Sequence, residues 1–213
     1  MVKMFYLLSC FLSIFIAIAC TNQFKHKEPV AKPVVSPEPK VPASGNNANS
    51  IINPDNFDEE LLAKLLLEGI NQLRASKKAG PLSPDPLLAK AALDQNKFIT
   101  QRGKLSHEQG AKSPKQTVSD RVAYYGGHYD MVGENLQLWG FMVITQGRKS
   151  TTEYTTYKEA AEGLVKNWVS SKPHYENLVR KEFKLVGTAI GFNQNDNGLY
   201  ATQVYANYPV KTK

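Results

Sequence analysis

The sequence predicts an α+β domain in which helices pack on an antiparallel sheet. Three observations carry that prediction. Leu61, Leu62, Leu65, Leu66, Ile70 and Leu73 recur at three- and four-residue intervals, as on one face of a helix. Near the other end Val186, Thr188, Ile190 and Phe192 alternate, Asn197-Gly198 marks a turn, and Tyr200, Thr202, Val204 and Ala206 alternate again, the pattern of a β-hairpin. Between them, helical segments precede, separate and flank a few strands.

The first helix begins near Phe57 and ends before Gly80-Pro81. Pro84 and Pro86 then stand at the entry of a second helix, with Ser83 or Asp85 as its cap. Leu87, Leu88, Ala91, Ala92, Gln95, Phe98 and Ile99 line its inner face, and Gly103 ends it. A short helix follows around Thr117 to Tyr125, broken by Gly126-Gly127. Leu136 to Thr145 reads as a strand, and the polar, Thr-rich residues 146–156 read as a loop or hairpin. The next helix runs from about Tyr157 to Ser170. Pro173 breaks it and opens a short turn from His174 to Arg180.

The 213 residues, 42% apolar, suit one globular domain with appendages. The net charge of +7 is spread along the chain, so nucleic acid is not an expected partner. Lys3 opens a run from Met4 to Ile18 that is apolar apart from Ser9 and Ser13. Such a run is too short to favour a spanning helix and reads as a secretion signal. Ala17-Ile18-Ala19-Cys20 resembles the lipobox of bacterial lipoproteins, which makes residues 1–19 the signal peptide and Cys20 the lipidated first residue of the mature chain. Cys10 and Cys20 are the only cysteines, so the exported chain has no internal disulfide and its lone thiol gains a purpose from acylation.

Residues 20–55 are rich in Pro, Lys, Val, Ser and Asn without helical or alternating period, and read as an extended tether. The domain is expected over 56–208, with a tail at 209–213. Location follows as the cell envelope, with the chain lipid-anchored at the outer membrane or cell surface.

Four segments stand in a telling order: Leu105-Ser106-His107; Gly133-Glu134-Asn135-Leu136; Glu162 ahead of Trp168; and Ser170-Ser171-Lys172-Pro173-His174 followed by Asn177-Leu178. They lie after a helix carrying Asn71 and Arg74 and before Ala201-Thr202-Gln203-Val204-Tyr205. Together they resemble the bacterial branch of the CAP superfamily, named for cysteine-rich secretory proteins, antigen five and pathogenesis-related protein one. The resemblance spans roughly Phe57 to Tyr208 and implies a three-layer α-β-α sandwich with a central antiparallel sheet. It also implies a cleft where His107, Glu134, Glu162 and His174 converge. Eukaryotic relatives are stapled by disulfides and often place a cleft histidine in Gly-His-x-x-Gln, whereas this chain has Tyr200-Ala201-Thr202-Gln203 there.

Helix geometry bears on the two carboxylates of the fourth helix. At about 100° per residue, Ala161, Leu164, Val165 and Trp168 define an inner face with Glu162 at its shoulder and Glu159 well outside. Glu162 is therefore expected to reach a cleft beside the core, and Glu159 to be solvated.

Two imidazoles and two carboxylates suit three uses. They can bind a divalent metal such as zinc, with His107 and His174 as ligands. They can serve as general acid and base, with Glu134 or Glu162 as the candidate base. They can form a hydrogen-bonded network that fixes the loops meeting there. No serine lies in Gly-x-Ser-x-Gly and no His-Glu-x-x-His helix is present, so an envelope protein that binds a ligand is favoured over an enzyme. The ligand expected from the resemblance is a small or apolar molecule, lipid or sterol-like, or a cell-envelope component. A metal-dependent hydrolase or peptidase using the same residues is the alternative. His26 and His128 read as surface histidines, and Trp168 and Tyr205 as core aromatics. Trp139, Phe141, Met142, Tyr154 and Tyr157 read as core packing or as walls of an apolar cleft.

Overall fold

The structure is a computed structural model that describes residues 45–209, other than 141–142, 147–148, 153–154, 194 and 197. The signal segment, Cys20, His26, Phe141, Met142, Tyr154 and Asn197 lie outside the described residues. The elements are α1 (Glu59–Ser76), β1 (Ser83–Pro84), α2 (Pro86–Arg102), α3 (Val118–Tyr124), β2 (Val132–Gly140), β3 (Val143–Gln146), β4 (Lys149–Thr152), α4 (Tyr157–Ser170), α5 (Lys172–Val179), β5 (Leu185–Asn193) and β6 (Gly198–Ala206).

Local chemistry sets the helix ends. The Asp58 carboxylate accepts from Leu61 N–H at 3.0 Å and starts α1. Asp85 accepts from Leu87 and Leu88 N–H and starts α2 behind Pro86. That helix stops at Gly103, whose φ of 60° is the left-handed conformation that glycine adopts without cost. Thr156 and Glu159 form a reciprocal capping box at α4, so the exposed Glu159 is also a helix starter.

Four strands form one sheet in the order β1-β5-β6-β2, and β3 pairs with β4 in a separate hairpin. β1 is parallel to β5, and the β5-β6 and β6-β2 pairs are antiparallel. Helices cover both faces, which makes this the three-layer sandwich that the sequence resemblance implies. Leu62, Leu66 and Ile70 of α1, Leu164 and Trp168 of α4, and Leu178 of α5 share one core with Val186, Ile190 and Tyr205. Leu88, Ala91 and Ala92 of α2 and Val122 of α3 share the opposite core with Ala189, Val204 and Ala206. β6 runs between them and is buried at every position. The hairpin alternation in the sequence therefore marks two apolar faces, where an alternating strand usually has one wet face. α2 sits so close to β5 that a Cβ at Gly187 would stand 2.0 Å from the Leu88 backbone.

Three boundaries differ from the sequence reading. β2 starts at Val132, so Gly133-Glu134-Asn135 lies inside the strand rather than before it, because its partner β6 extends the ladder to Ala206↔Val132. The expected strand Leu136–Thr145 is divided, since β2 ends at Gly140 and Val143–Gln146 form β3, which pairs with β4 of the Thr-rich segment. The domain also begins earlier than 56. Ile51 bridges to Thr156, and Ile52 is buried in the α1/α4 core at 4% exposure.

Candidate functional site

Glu134 projects from β2, the outermost strand on its side of the sheet. Its register opposite Val204 puts it on the α2/α3 face. One carboxylate oxygen lies 2.8 Å from His107 Nδ1, and the other accepts from Arg121 Nη2 at 2.5 Å. Arg121 is completely buried and Glu134 nearly so. The His107 side chain remains 58% exposed, at the rim.

The loop that carries His107 is fixed at several points. Arg121 Nη1 donates to the carbonyls of His107, Lys115 and Gln116 at 3.1 to 3.3 Å. From α2, Gln95 donates to the Ser106 carbonyl and accepts from Gln109. Asp94 takes the Lys115 ammonium at 2.7 Å. A loop of polar sequence is thus held by buried side chains from two helices, and those side chains decide where the imidazole sits.

His174 arrives from the opposite face of β2, in the first turn of α5. Asn135, next along the strand from Glu134, donates to the His174 carbonyl at 3.1 Å. Asn177 donates to Asn135 Oδ1 at 2.9 Å and to the Glu134 carbonyl at 3.3 Å. Gly133 permits this approach, since a Cβ there would stand 2.9 Å from Phe183 and 3.1 Å from Asn177 Oδ1. His174 Nδ1 is buried with no hydrogen-bond partner. Burial pushes the His174 pKa down, and the nearby His107 adds to the effect by disfavouring a second positive charge.

Glu162 does not join this group. Trp168 Nε1 donates to the Leu136 carbonyl, while Trp139 lies where a side chain at Gly163 would be. α4 therefore runs antiparallel to β2, with Glu162 near the level of Gly140, six residues and about 20 Å along the strand from Glu134. Its side chain is 66% exposed, 4.0 Å from Lys158. Glu162 lines a groove between α1 and α4 with Leu65 and Glu68, so its shoulder position faces α1 and not β2. The helix wheel also carries no information on height along the neighbouring strand.

The three remaining groups do not fit a zinc centre. Both Glu134 oxygens are engaged, and two imidazoles fall short of the three protein ligands that catalytic zinc takes. Among the described residues no group of three or more His, Cys, Asp or Glu is placed to hold a metal ion. Elsewhere, Trp168 and Tyr205 are fully buried and His128 is exposed.

Arg121 is the functional residue that sequence reasoning missed. Its signal was present, since Val118, Arg121 and Val122 share one face of a short helix at helical spacing, and an arginine there requires a buried acid.

A four-stranded sheet covered by helices on both faces, with a loop histidine bonded to a buried glutamate of its outer strand, is the arrangement of an SCP-like domain. The chain belongs to the CAP, or cysteine-rich secretory protein, family, whose model matches residues 67–205. Solved structures share the fold. An extracellular protein containing an SCP domain from Bacillus anthracis is 18% identical with a TM-score of 0.53, the match covering 74% of this chain and 44% of that one. An outer surface protein of Borrelia burgdorferi is 16% identical with a TM-score of 0.53, covering 75% and 99%. A cysteine-rich secretory protein of Staphylococcus aureus is 14% identical with a TM-score of 0.50, covering 70% and 39%. The match thus spans under half of the Bacillus and Staphylococcus chains and nearly all of the Borrelia one. Comparison with curated protein sequences gives no match. Among the described residues no helix is long and apolar enough to cross a membrane.

Proposed function

We propose that this chain is a lipid-anchored protein of the bacterial cell envelope whose domain binds a ligand and does not catalyse a reaction. Cleavage before Cys20 frees its α-amine, acyl chains on Cys20 hold the protein at the outer membrane or cell surface, and the segment after it carries the domain outward. The ligand is a small or apolar molecule, lipid or sterol-like, or an envelope component. It is held beside His107, Glu134 and His174.

The observation that supports binding over hydrolysis by a Glu134 base is the double engagement of Glu134. With His107 on one oxygen and Arg121 on the other, the carboxylate is committed to orienting the imidazole and is not free to take a proton from substrate. The groups left to meet a ligand are the exposed His107 ring and the His174 ring beside it. The surface and extracellular settings of the Borrelia and Bacillus relatives agree with an envelope location.

Titrating the protein with fluorescent fatty acids, sterols and soluble peptidoglycan fragments tests the reading. Saturable binding to one class, weakened about tenfold by His107→Ala, is expected. Absence of saturable binding to every class overturns it. Metabolic labelling with an alkyne fatty acid tests the anchor separately, with label expected on the natural chain and none on Cys20→Ser.

A further inference from the structure

Among the described residues the margin of the sheet opposite β2 is open. β1 pairs with β5 only at Ser83↔Leu185 and Pro84↔Val186, after which the chain turns into α2. Among the described residues, Gly187 to Asn193 have no strand on that side. At Ile190 a side chain takes the place of a neighbouring strand, the Ile190 N–H donating to Glu59 Oε1 at 3.0 Å.

Between those two points lies Thr188. The Val186 carbonyl accepts from Asp85 N–H at 2.9 Å, and the Ile190 N–H faces the same way. By the two-residue period of a strand, the N–H and C=O of Thr188 are directed to that edge as well. Thr188 lines a groove of about 590 Å³ between α1 and the start of α2, walled by Ala63, Leu67, Pro84 and Pro86. Glu60, Lys64 and Glu68 stand on its rim, with Lys64 4.0 Å from Glu68, so Glu60 is the rim carboxylate without an ion pair among the described residues. The third carboxylate of the lining, Asp85, is occupied in capping α2. In a chain of net charge +7, this groove has an acidic rim over an apolar wall and an unfilled strand edge.

We propose that the groove docks an extended peptide of a partner protein, with apolar side chains alternating with Lys or Arg, which adds a short strand beside Thr188. Main-chain hydrogen bonds at the edge supply affinity, one row of side chains enters the apolar wall, and the cations meet Glu60 and Glu68. Pro84 at one end and the Glu59-Ile190 bond at the other limit the added strand to about four residues, some 13 Å at about 3.3 Å each. The groove lies across the whole sheet from the His107 cluster, so it stands or falls independently of the binding reading above.

The test uses the full chain and two synthetic hexapeptides, one alternating Val and Lys and one alternating Val and Glu. Peptide binding is read by fluorescence anisotropy and amide exchange at Thr188 by NMR. The lysine peptide is expected to bind saturably and to slow Thr188 exchange about tenfold, with affinity falling about tenfold for the glutamate peptide and for a Glu60→Lys, Glu68→Lys variant. Both substituted positions are exposed helix sites, so the variant keeps its fold. Absence of binding, equal binding of the two peptides, or unchanged Thr188 exchange overturns the proposal. Slow Thr188 exchange without peptide also overturns it, in favour of a second copy if the slowing grows with protein concentration and of the chain's own remaining residues if it does not.

Discussion

Arg121 and Glu134 form an ion pair at 2.5 Å in which neither side chain is more than 2% exposed. Around it the guanidinium also gathers three carbonyls of the His107 loop. A buried pair of this kind contributes modest net stability compared with an apolar pair, yet breaking it is costly because the surviving charge has no solvent.

Arg121→Ala therefore lowers stability by about 3–5 kcal/mol, which for a domain of this size is a drop of about 10 °C in Tm. Scanning calorimetry of the two proteins measures it. A double variant, Arg121→Met with Glu134→Leu, recovers much of the loss, since it removes the stranded carboxylate along with its partner. Equal Tm for Arg121→Ala and the natural chain would show the pair to be energetically idle.

His174 gives the fold a sensitivity to mild acid. Its pKa is held below the ordinary value by burial and by His107, while in the unfolded chain it returns to about 6.5. Just below that value the unfolded chain binds the proton that the folded one refuses, so stability rises with pH through this window and falls on acidification. The slope from this group has a ceiling of about 1.4 kcal/mol per pH unit. Urea unfolding of the natural chain and His174→Gln between pH 5 and 7 isolates it, the variant showing the shallower dependence.

Two glycines separate close approach from simple chain flexibility. Gly187→Ala drives a methyl into the Leu88 backbone at 2.0 Å and costs about 3 kcal/mol or more, since neither β5 nor α2 can withdraw from a packed sheet. Gly69→Ala, where the nearest atom is a Val165 methyl at 3.4 Å, is neutral or stabilising by up to about 1 kcal/mol through helix propensity. Chemical denaturation ranks them, and the reverse order would contradict the helix packing described.

Zinc titration discriminates between a metal centre and an oriented hydrogen-bonding pair. Calorimetric zinc affinities of the natural chain and the His107→Ala, His174→Ala double variant are expected to be the same. A loss of about tenfold or more in the double variant would restore the metal reading.

Much of the fold was legible in the sequence because each helix announces its own limits. Asp85 before Pro86 and Gly103 after Arg102 are local signals that tertiary contacts leave untouched. The start of β2 was less legible, since Val132 and Gly133 become strand through pairing with β6 and not through any alternation of their own. Ile52 is hard to read for a similar reason, as the isolated pair Ile51-Ile52 in a polar stretch has no period. At the site, resemblance singled out His107 and Glu134, which share a hydrogen bond, and His174, whose carbonyl is bonded by Asn135 next to Glu134. It misplaced Glu162 because the offset between α4 and β2 is fixed by Trp168 reaching Leu136, a contact between residues 32 positions apart.

The entry of the chain into the domain has a mechanical consequence. Ile51 and Ile52 join the fold beside Thr156, the residue that starts α4, and the Ile52 N–H donates to the Thr155 carbonyl at 2.9 Å. The Ala48 and Ser50 carbonyls accept from Lys158 and Tyr157 N–H at 2.8 and 3.1 Å, so tension arriving through the preceding residues is borne first by this short seam and then by the buried Ile52 side chain. α1 and the sheet carry load only after the seam has peeled, so the His107-Glu134 pair keeps its geometry while the N-terminal clasp yields.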